Sequence, residues 1–103
     1  MRPANFNEKV WAALKLIPRG RVTTYKEIAK YLGQPKAARA VGNACAKNSH
    51  APKAPCHRVV KSGGGLGGYA GGENNKIKLL KKEGVKINRG KIKNFKKKIY
   101  KFK

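Results

Sequence analysis

Cys56 and His57 stand side by side between Pro55 and a β-branched pair, in the stretch Pro55-Cys56-His57-Arg58-Val59-Val60. Cysteine is a strong soft nucleophile once it is a thiolate. Histidine is the base whose ordinary pKa lies nearest neutrality. In an extended chain, neighbouring side chains point to opposite sides. A water carrying the proton from Cys56 to His57 therefore suits the pair better than a direct hydrogen bond. A plainer reading fits the same residues, with Cys56 a small buried hydrophobe and His57 a solvated loop residue. Metal ligation by Cys45, His50, Cys56 and His57 is a third. Their spacing, C-x4-H-x5-C-H, matches none of the usual paired-ligand patterns, and adjacent residues rarely serve as two ligands. No metal and no cofactor is expected.

The chemistry must be held by a chain of 103 residues, enough for one modest core. Its 26 Lys and Arg against 4 acids give a formal charge of +22. Such an excess opposes compaction unless a polyanion neutralises it. Nucleic acid is the first candidate and an acidic membrane surface the second. There is no aspartate, so Glu8, Glu27, Glu73 and Glu83 are the only side-chain carboxylates. No apolar run approaches the length of a membrane span, and no signal-peptide pattern opens the sequence. An intracellular protein with two free thiols is the expectation.

Phe6, Val10, Leu14 and Ile17 recur at helical spacing with Trp11 beside them. Asn5 and Glu8 form a plausible start, and Pro18 and Gly20 a stop. Arg21-Val22-Thr23 is a short β-like connection. Thr24-x-x-Glu27 is a capping box that opens a helix over Tyr25, Ile28, Ala29 and Leu32, ended by Gly33. Tyr25 falls in its first turn, either as a half-buried core tyrosine or as a hydroxyl available to a ligand. After the turn Gly33-Gln34-Pro35, residues 36–46 read as a helix of mostly small residues. Helix, turn and helix suggest helix-turn-helix. The small-residue face can approach a groove wall closely, with Arg39 projecting from its middle, and DNA contact is the favoured reading.

Residues 48–54 read as a shaped loop leading into Pro55-Cys56. From Lys61 to Gly72, seven of twelve residues are glycine. Leu66 and Tyr69 argue for a close-fitting loop, in the place of the wing that follows a helix-turn-helix. A fourth helix is expected over Glu73–Lys82, with Ile77, Leu79 and Leu80 apolar and Gly84 as stop. Glu8, Glu27 and Glu73 each suit a helix N-terminus. Glu83 lies at a helix C-terminus, where a negative charge is unfavourable, and so is the carboxylate free to orient His57. Val85 and Ile87 suggest a short strand. From Val85 to Lys103 there are nine Lys/Arg and no acid. Ile92, Phe95, Ile99 and Phe102 suggest an amphipathic basic helix, which either packs back on the domain or stays mobile and binds phosphates.

The chain resembles the C-terminal, active-site domain of the O6-alkylguanine-DNA alkyltransferases, over roughly Phe6 to Gly84. The resemblance is carried by Val10-Trp11 with Ile17-Pro18-x-Gly20, Thr24-Tyr25-x-x-Ile28-Ala29, Ala38-Arg39-Ala40-Val41-Gly42 and Asn48. It continues through Pro55-Cys56-His57-Arg58-Val59-Val60, Gly68-Tyr69-Ala70-Gly71-Gly72 and Lys76-x-x-Leu79-Leu80-x-x-Glu83-Gly84. It implies a mainly α, winged-helix-like helix-turn-helix domain with a short hairpin or wing over residues 1–87. A basic, helical C-terminal tail over 88–103 follows. By resemblance, Cys56 takes the alkyl group from guanine O6 in one irreversible transfer. His57 deprotonates it through a water, Glu83 holds His57, and Tyr25 donates to the extruded guanine. Arg39 fills the gap in the base stack, and the DNA-facing set includes Lys36, Ala38, Gly42 and Asn43. Asn48 braces the loop before the site, Arg58 supports it, and Tyr69 and Ala70 line the pocket.

The implied partner is double-stranded DNA containing O6-alkylguanine, met in the minor groove, by a monomer with no membrane association. A cytoplasmic, nucleoid-associated location is expected, or a nuclear one in a eukaryote. The RNase-H-like N-terminal domain usual in the family is not in this sequence. Activity is still expected because the catalytic residues are present, at some cost in stability. The lysine-rich tail would restore DNA affinity at the expense of strong salt dependence. Two other classes stay open. One is a lesion-recognition protein similar to the alkyltransferase-like proteins, which typically carry tryptophan where this chain has Cys56. The other is a non-catalytic winged-helix DNA-binding protein.

Overall fold

Asn5 opens α1 (Phe6–Leu14) with a reciprocal cap. Its side chain accepts the Glu8 N–H at 2.8 Å, and the Glu8 carboxylate reaches back to the Asn5 N–H. The computed structural model describes residues 5–47, 55–69 and 72–102. Within them the chain is a mostly helical small domain with two small two-stranded sheets. After α1 come β1 (Thr23–Thr24), α2 (Tyr25–Tyr31) and α3 (Ala38–Ala46). A single 3₁₀ turn (Cys56–Arg58) leads into β2 (Val59–Val60), followed by α4 (Glu73–Lys82). The hairpin β3 (Ile87–Asn88) and β4 (Lys91–Ile92) and the one-turn α5 (Phe95–Lys98) complete the described chain. Among the described residues no helix is long and apolar enough to cross a membrane.

β2 lies between two hydrophobic cores. Strand neighbours face opposite sides, so Val59 enters one core and Val60 the other. The first core packs α1, α2 and α3 through Val10, Leu14, Ile28, Val41 and Ala44, and it contains Cys56. Trp11 closes its edge by donating its indole N–H to the Ala44 carbonyl at 2.8 Å, so it packs as a core residue. The second core gathers Val22, Leu66, Leu80, Val85 and Ile92. β1 pairs with β2 in parallel, Thr23 with Val59 and Thr24 with Val60. Thr24 is also the N-cap of α2, its hydroxyl accepting the Glu27 N–H at 3.0 Å.

Four expectations are corrected. The third helix starts at Ala38, because Pro35 and Lys36 are spent in a turn closed by the Ala37 N–H on the Gln34 carbonyl. Cys56-His57-Arg58 is a 3₁₀ turn and not extended chain, since the Arg58 N–H closes back on the Pro55 carbonyl at 3.0 Å. The described part of the glycine-rich stretch reverses in a tight turn, with the Gly64 N–H on the Lys61 carbonyl and the Lys61 N–H on the Gly65 carbonyl, but pairs no two strands of its own. Gly64–Leu66 instead runs beside the β3–β4 hairpin, through Ile92 N–H to the Gly64 carbonyl and Leu66 N–H to the Gly90 carbonyl.

The last correction concerns the basic tail, which is helical only over Phe95–Lys98; of the two placements left open, it packs back on the domain. Ile99 forms a parallel bridge with Val22, whose N–H donates to Lys98 and whose carbonyl accepts from Tyr100. The Thr23 hydroxyl donates to the Tyr100 carbonyl at 2.8 Å. The Arg21 guanidinium caps the Lys98 and Ile99 carbonyls at 3.0 and 2.7 Å. Phe102 stacks on Tyr31 with ring centroids 4.6 Å apart. A boundary at 87/88 thus falls within the hairpin.

Removing residues 95–103 strips β1 of this neighbour and uncovers Val22 and Tyr31. We expect a loss of about 3 kcal/mol or more, read as a fall in Tm of more than about 12 °C. An unchanged melting curve would show that the tail contributes no stability.

Candidate active site

Glu83 follows the last turn of α4 and is reached by two side chains of the 3₁₀ turn. Arg58 donates Nε–H to Oε1 at 2.9 Å and an Nη2–H to Oε2 at 2.6 Å, a two-point grip that matches the planar guanidinium to the planar carboxylate. The other arm of Arg58 donates to the Ile17 carbonyl at 2.7 Å, which fixes the fork against the turn that follows α1. His57 Nε2 lies 3.1 Å from Glu83 Oε2. Burial pushes the Glu83 carboxyl up, but the hydrogen bonds from Arg58 and His57 outweigh it and hold the group below the usual carboxylate range.

An ionised Glu83 can only accept, so the proton on neutral His57 must sit on Nε2, leaving Nδ1 as the lone-pair nitrogen. Nδ1 is buried and has no hydrogen-bond partner among the described residues. Burial lowers the His57 pKa, partly countered by Glu83. The imidazole is therefore neutral at pH 7 and able to take a proton.

Cys56 is buried among the first-core residues yet lines a cavity of about 550 Å³. Tyr25 and the α3 residues Ala38, Arg39 and Gly42 form part of its wall, and Gly67, Gly68 and Tyr69 another part. Arg39 is exposed at this wall, while Lys36 and Asn43 are exposed outside the lining. Burial, with Cys45 and Cys56 nearby, raises the Tyr25 hydroxyl to about 12, so it keeps its proton and can donate. That hydroxyl lies 3.4 Å from the Gly68 carbonyl, a long bond that a better acceptor could displace. Gly67 has φ +72, and a Cβ there would meet the Tyr25 hydroxyl at 2.9 Å, so only glycine leaves the cavity open at this point.

Tyr69 sets its ring edge-on to His57, centroids 6.4 Å apart. Cys45 also lines the cavity, but burial and the nearby Cys56 push its thiol up to about 12, which keeps it protonated and inert. Among the described residues no three His, Cys, Asp or Glu side chains gather as metal ligands. Asn48, His50 and Ala70 lie outside the described residues.

Sequence reasoning assigned no role to Lys76. It is fully buried, and its ammonium donates to the carbonyls of Val59 at 2.7 Å, Gly68 at 3.1 Å and Leu66. One cation thereby ties β2 to the loop that walls the cavity. Burial lowers its pKa to about 8, with Cys45, Cys56 and Glu73 pulling the other way, so it stays charged at neutral pH. The signal was the spacing: Lys76, Leu80 and Glu83 stand at i, i+4 and i+7, one helix face turned toward the site.

A family model described as 6-O-methylguanine DNA methyltransferase, DNA binding domain, matches residues 5–85. The chain belongs to this family. A methylated-DNA–protein-cysteine methyltransferase of Methanosarcina acetivorans is 54% identical over 79 residues, covering 77% of this chain and 51% of that protein. The bifunctional transcriptional activator/DNA repair enzyme Ada of Escherichia coli is 46% identical over 83 residues, 81% of this chain and 23% of its own length. The chain thus spans about a quarter to a half of these curated relatives. Mycobacterium tuberculosis OGT in complex with DNA superposes with a TM-score of 0.75 at 49% identity, over 80% of this chain and 51% of that one. S. pombe Atl1, in complex with damaged DNA containing O6-carboxymethylguanine, superposes with a TM-score of 0.84 at 38% identity, over 98% of this chain and 99% of that one.

The pKa directions set the pH dependence of stability. His57 and Glu83 both titrate lower in the folded chain than their ordinary 6.5 and 4.5. In each window the unfolded chain binds more protons, so stability is lost on acidification. The urea midpoint should fall first as pH drops below about 6.5 and again below about 4.5. Glu83→Gln should abolish the second decline. A wild-type curve flat from pH 7 to pH 4 would contradict this.

Proposed function

We propose that the chain repairs DNA by direct reversal, transferring the alkyl group of O6-alkylguanine to Cys56. The observation that carries this reading is the ordered set Arg58–Glu83–His57 beside a cysteine that opens into a cavity. Family membership supports it. In the proposed step the Cys56 Sγ–H proton passes through a water to His57 Nδ1. The imidazolium that forms is stabilised by Glu83, a triad logic with water inserted. The thiolate attacks the alkyl carbon, the new S–C bond forms as the C–O6 bond breaks, and the electron pair leaves with the guanine. The Tyr25 O–H donates to the departing guanine as negative charge develops on it. The departing guanine anion takes up one proton, matching the one that His57 accepted and then gives up, so the products are guanine, neutral His57 and an S-alkylcysteine. A thioether is not hydrolysed, so each molecule reacts once.

A base inside a duplex cannot present O6 to a buried thiol, so the reading includes extrusion of the guanine into the cavity. α2 and α3 would act as a helix-turn-helix in the minor groove, with Arg39 filling the vacated place in the stack. The exposed Lys36 and Asn43 would meet the backbone nearby. Asn48 and Ala70 keep their proposed roles as loop brace and pocket wall.

A second reading has its own observation. The superposition on Atl1, in complex with damaged DNA, spans nearly the whole of both chains, which supports recognition of the lesion and fits binding without transfer as well as transfer. Cys56 separates the two readings.

Intact-protein mass spectrometry after mixing with duplex DNA holding one O6-methylguanine tests the proposal. We expect one added methylene, mapped to Cys56 and absent in Cys56→Ala. Tight lesion binding with no mass change would support recognition alone. Neither a mass change nor any lesion preference would refute both.

A further inference from the structure

Between the paired residues Asn88 and Lys91, the β3–β4 hairpin turns through Arg89 and Gly90. Both have positive φ, +53 and +75. A two-residue loop with two such residues is a type I′ turn, whose first position favours Asn, Asp or Gly. Arginine is a poor choice there, since its Cβ is strained in left-handed backbone. Arg89 is exposed and its side chain supports no core. A strained residue kept at a surface turn calls for a use of its side chain.

The turn lies beside the active cavity. Gly64–Leu66 is hydrogen-bonded to the hairpin and runs directly into Gly67 and Gly68, which line the cavity with Cys56. A groove of about 440 Å³ continues outward, lined by Lys61, Gly65, Gly67, Gly68, Glu73 and Gly90 among others. Lys61, Gly67 and Gly68 belong to both spaces, so the groove leads from the cavity mouth to the hairpin tip. Glu73 is its one acid. Lys61 is an exposed cation in its lining, Arg89 and Lys91 are exposed on either side of its lining residue Gly90, and Lys86 and Lys93 flank the hairpin. Buried Ile92, with Ile87 and Phe95, anchors the hairpin on the second core, so the cations are presented from a fixed frame.

We propose that this hairpin is a phosphate clamp. Arg89, with Lys91 and Lys61, contacts the phosphodiester backbone of duplex DNA laid across the Cys56 cavity, opposite the contacts of α3. This rests on the DNA-repair reading above. A guanidinium on a rigid tip suits bidentate contact with a phosphate, and a backbone contact carries affinity without sequence preference.

Arg89→Asn exchanges the strained residue for one the turn prefers, so a structural role and a binding role predict opposite results. We expect an equal or higher Tm together with about 3- to 10-fold weaker binding to undamaged duplex at low salt. The slope of log K against log salt should flatten by about one unit. Lys91→Gln should flatten it similarly, and Lys9→Gln on α1 should leave it as in the wild type. A wild-type slope in Arg89→Asn, or an equal loss in Lys9→Gln, overturns the clamp. The readout uses undamaged DNA, so it separates from methyl transfer. A flattened slope in Arg89→Asn with no mass gain by the wild type would keep the clamp and remove the Cys56 reading. A mass gain with an unaltered slope would do the reverse.

Discussion

A carboxylate at the C-terminal end of a helix faces the negative end of the helix dipole, and partial burial adds a second penalty. Glu83 bears both and stays ionised because Arg58 grips both of its oxygens. The proton on His57 must then sit on Nε2, and its other nitrogen is left as the base. Arg58 is in turn fixed by the Ile17 carbonyl at the close of the first helical segment. The orientation of one imidazole therefore depends on three separate parts of the chain meeting at one acid. With only four carboxylates against twenty-six cations, no other acid competes for this place.

The same economy appears in the second buried charge. Lys76 holds β2 and the cavity-wall loop together through three carbonyls, a job that backbone pairing cannot do where the loop turns away from the strand. A buried ammonium is costly unless all its donors are met, and here three acceptors surround it. Lys76 and Glu83 lie on one face of α4, so a single helix supplies both charged fixtures of the site. β2, between the two cores, carries the turn that presents Cys56 and His57. The interior is thus organised around the short segment from Pro55 to Val60, with α1, α2, α3 and the tail rings Tyr100 and Phe102 packed on one side and α4 and the hairpin on the other.

Local chemistry was legible in the sequence. The Asn5–Glu8 cap and the bounds of α4 at Glu73 and Lys82 are set by neighbouring residues, and both stand as expected. Glu83 was legible because it broke a local rule. The parallel pairing of Thr23–Thr24 with Val59–Val60 was not, since two-residue strands carry no periodic signal and their partner is distant in the chain. The spacing of Ile92, Phe95, Ile99 and Phe102 fits a helix, but the unpaired edge of Val22 and the rings of Tyr31 and Tyr100 draw the segment out as extended chain. Lys76 was hidden by its type: a lysine on a basic helix reads as solvated, and only the carbonyls around it reveal otherwise.

The dependence of the site on Glu83 is tested most directly by the tautomer of His57. Nitrogen chemical shifts of the His57 ring, in protein labelled at histidine and held at pH 7 without DNA, distinguish a protonated from a bare nitrogen at each position. A neutral ring with the proton on Nε2 and a bare Nδ1 is expected, with loss of that preference in Glu83→Gln. A ring protonated on Nδ1, or a wild-type preference that survives Glu83→Gln, would contradict it.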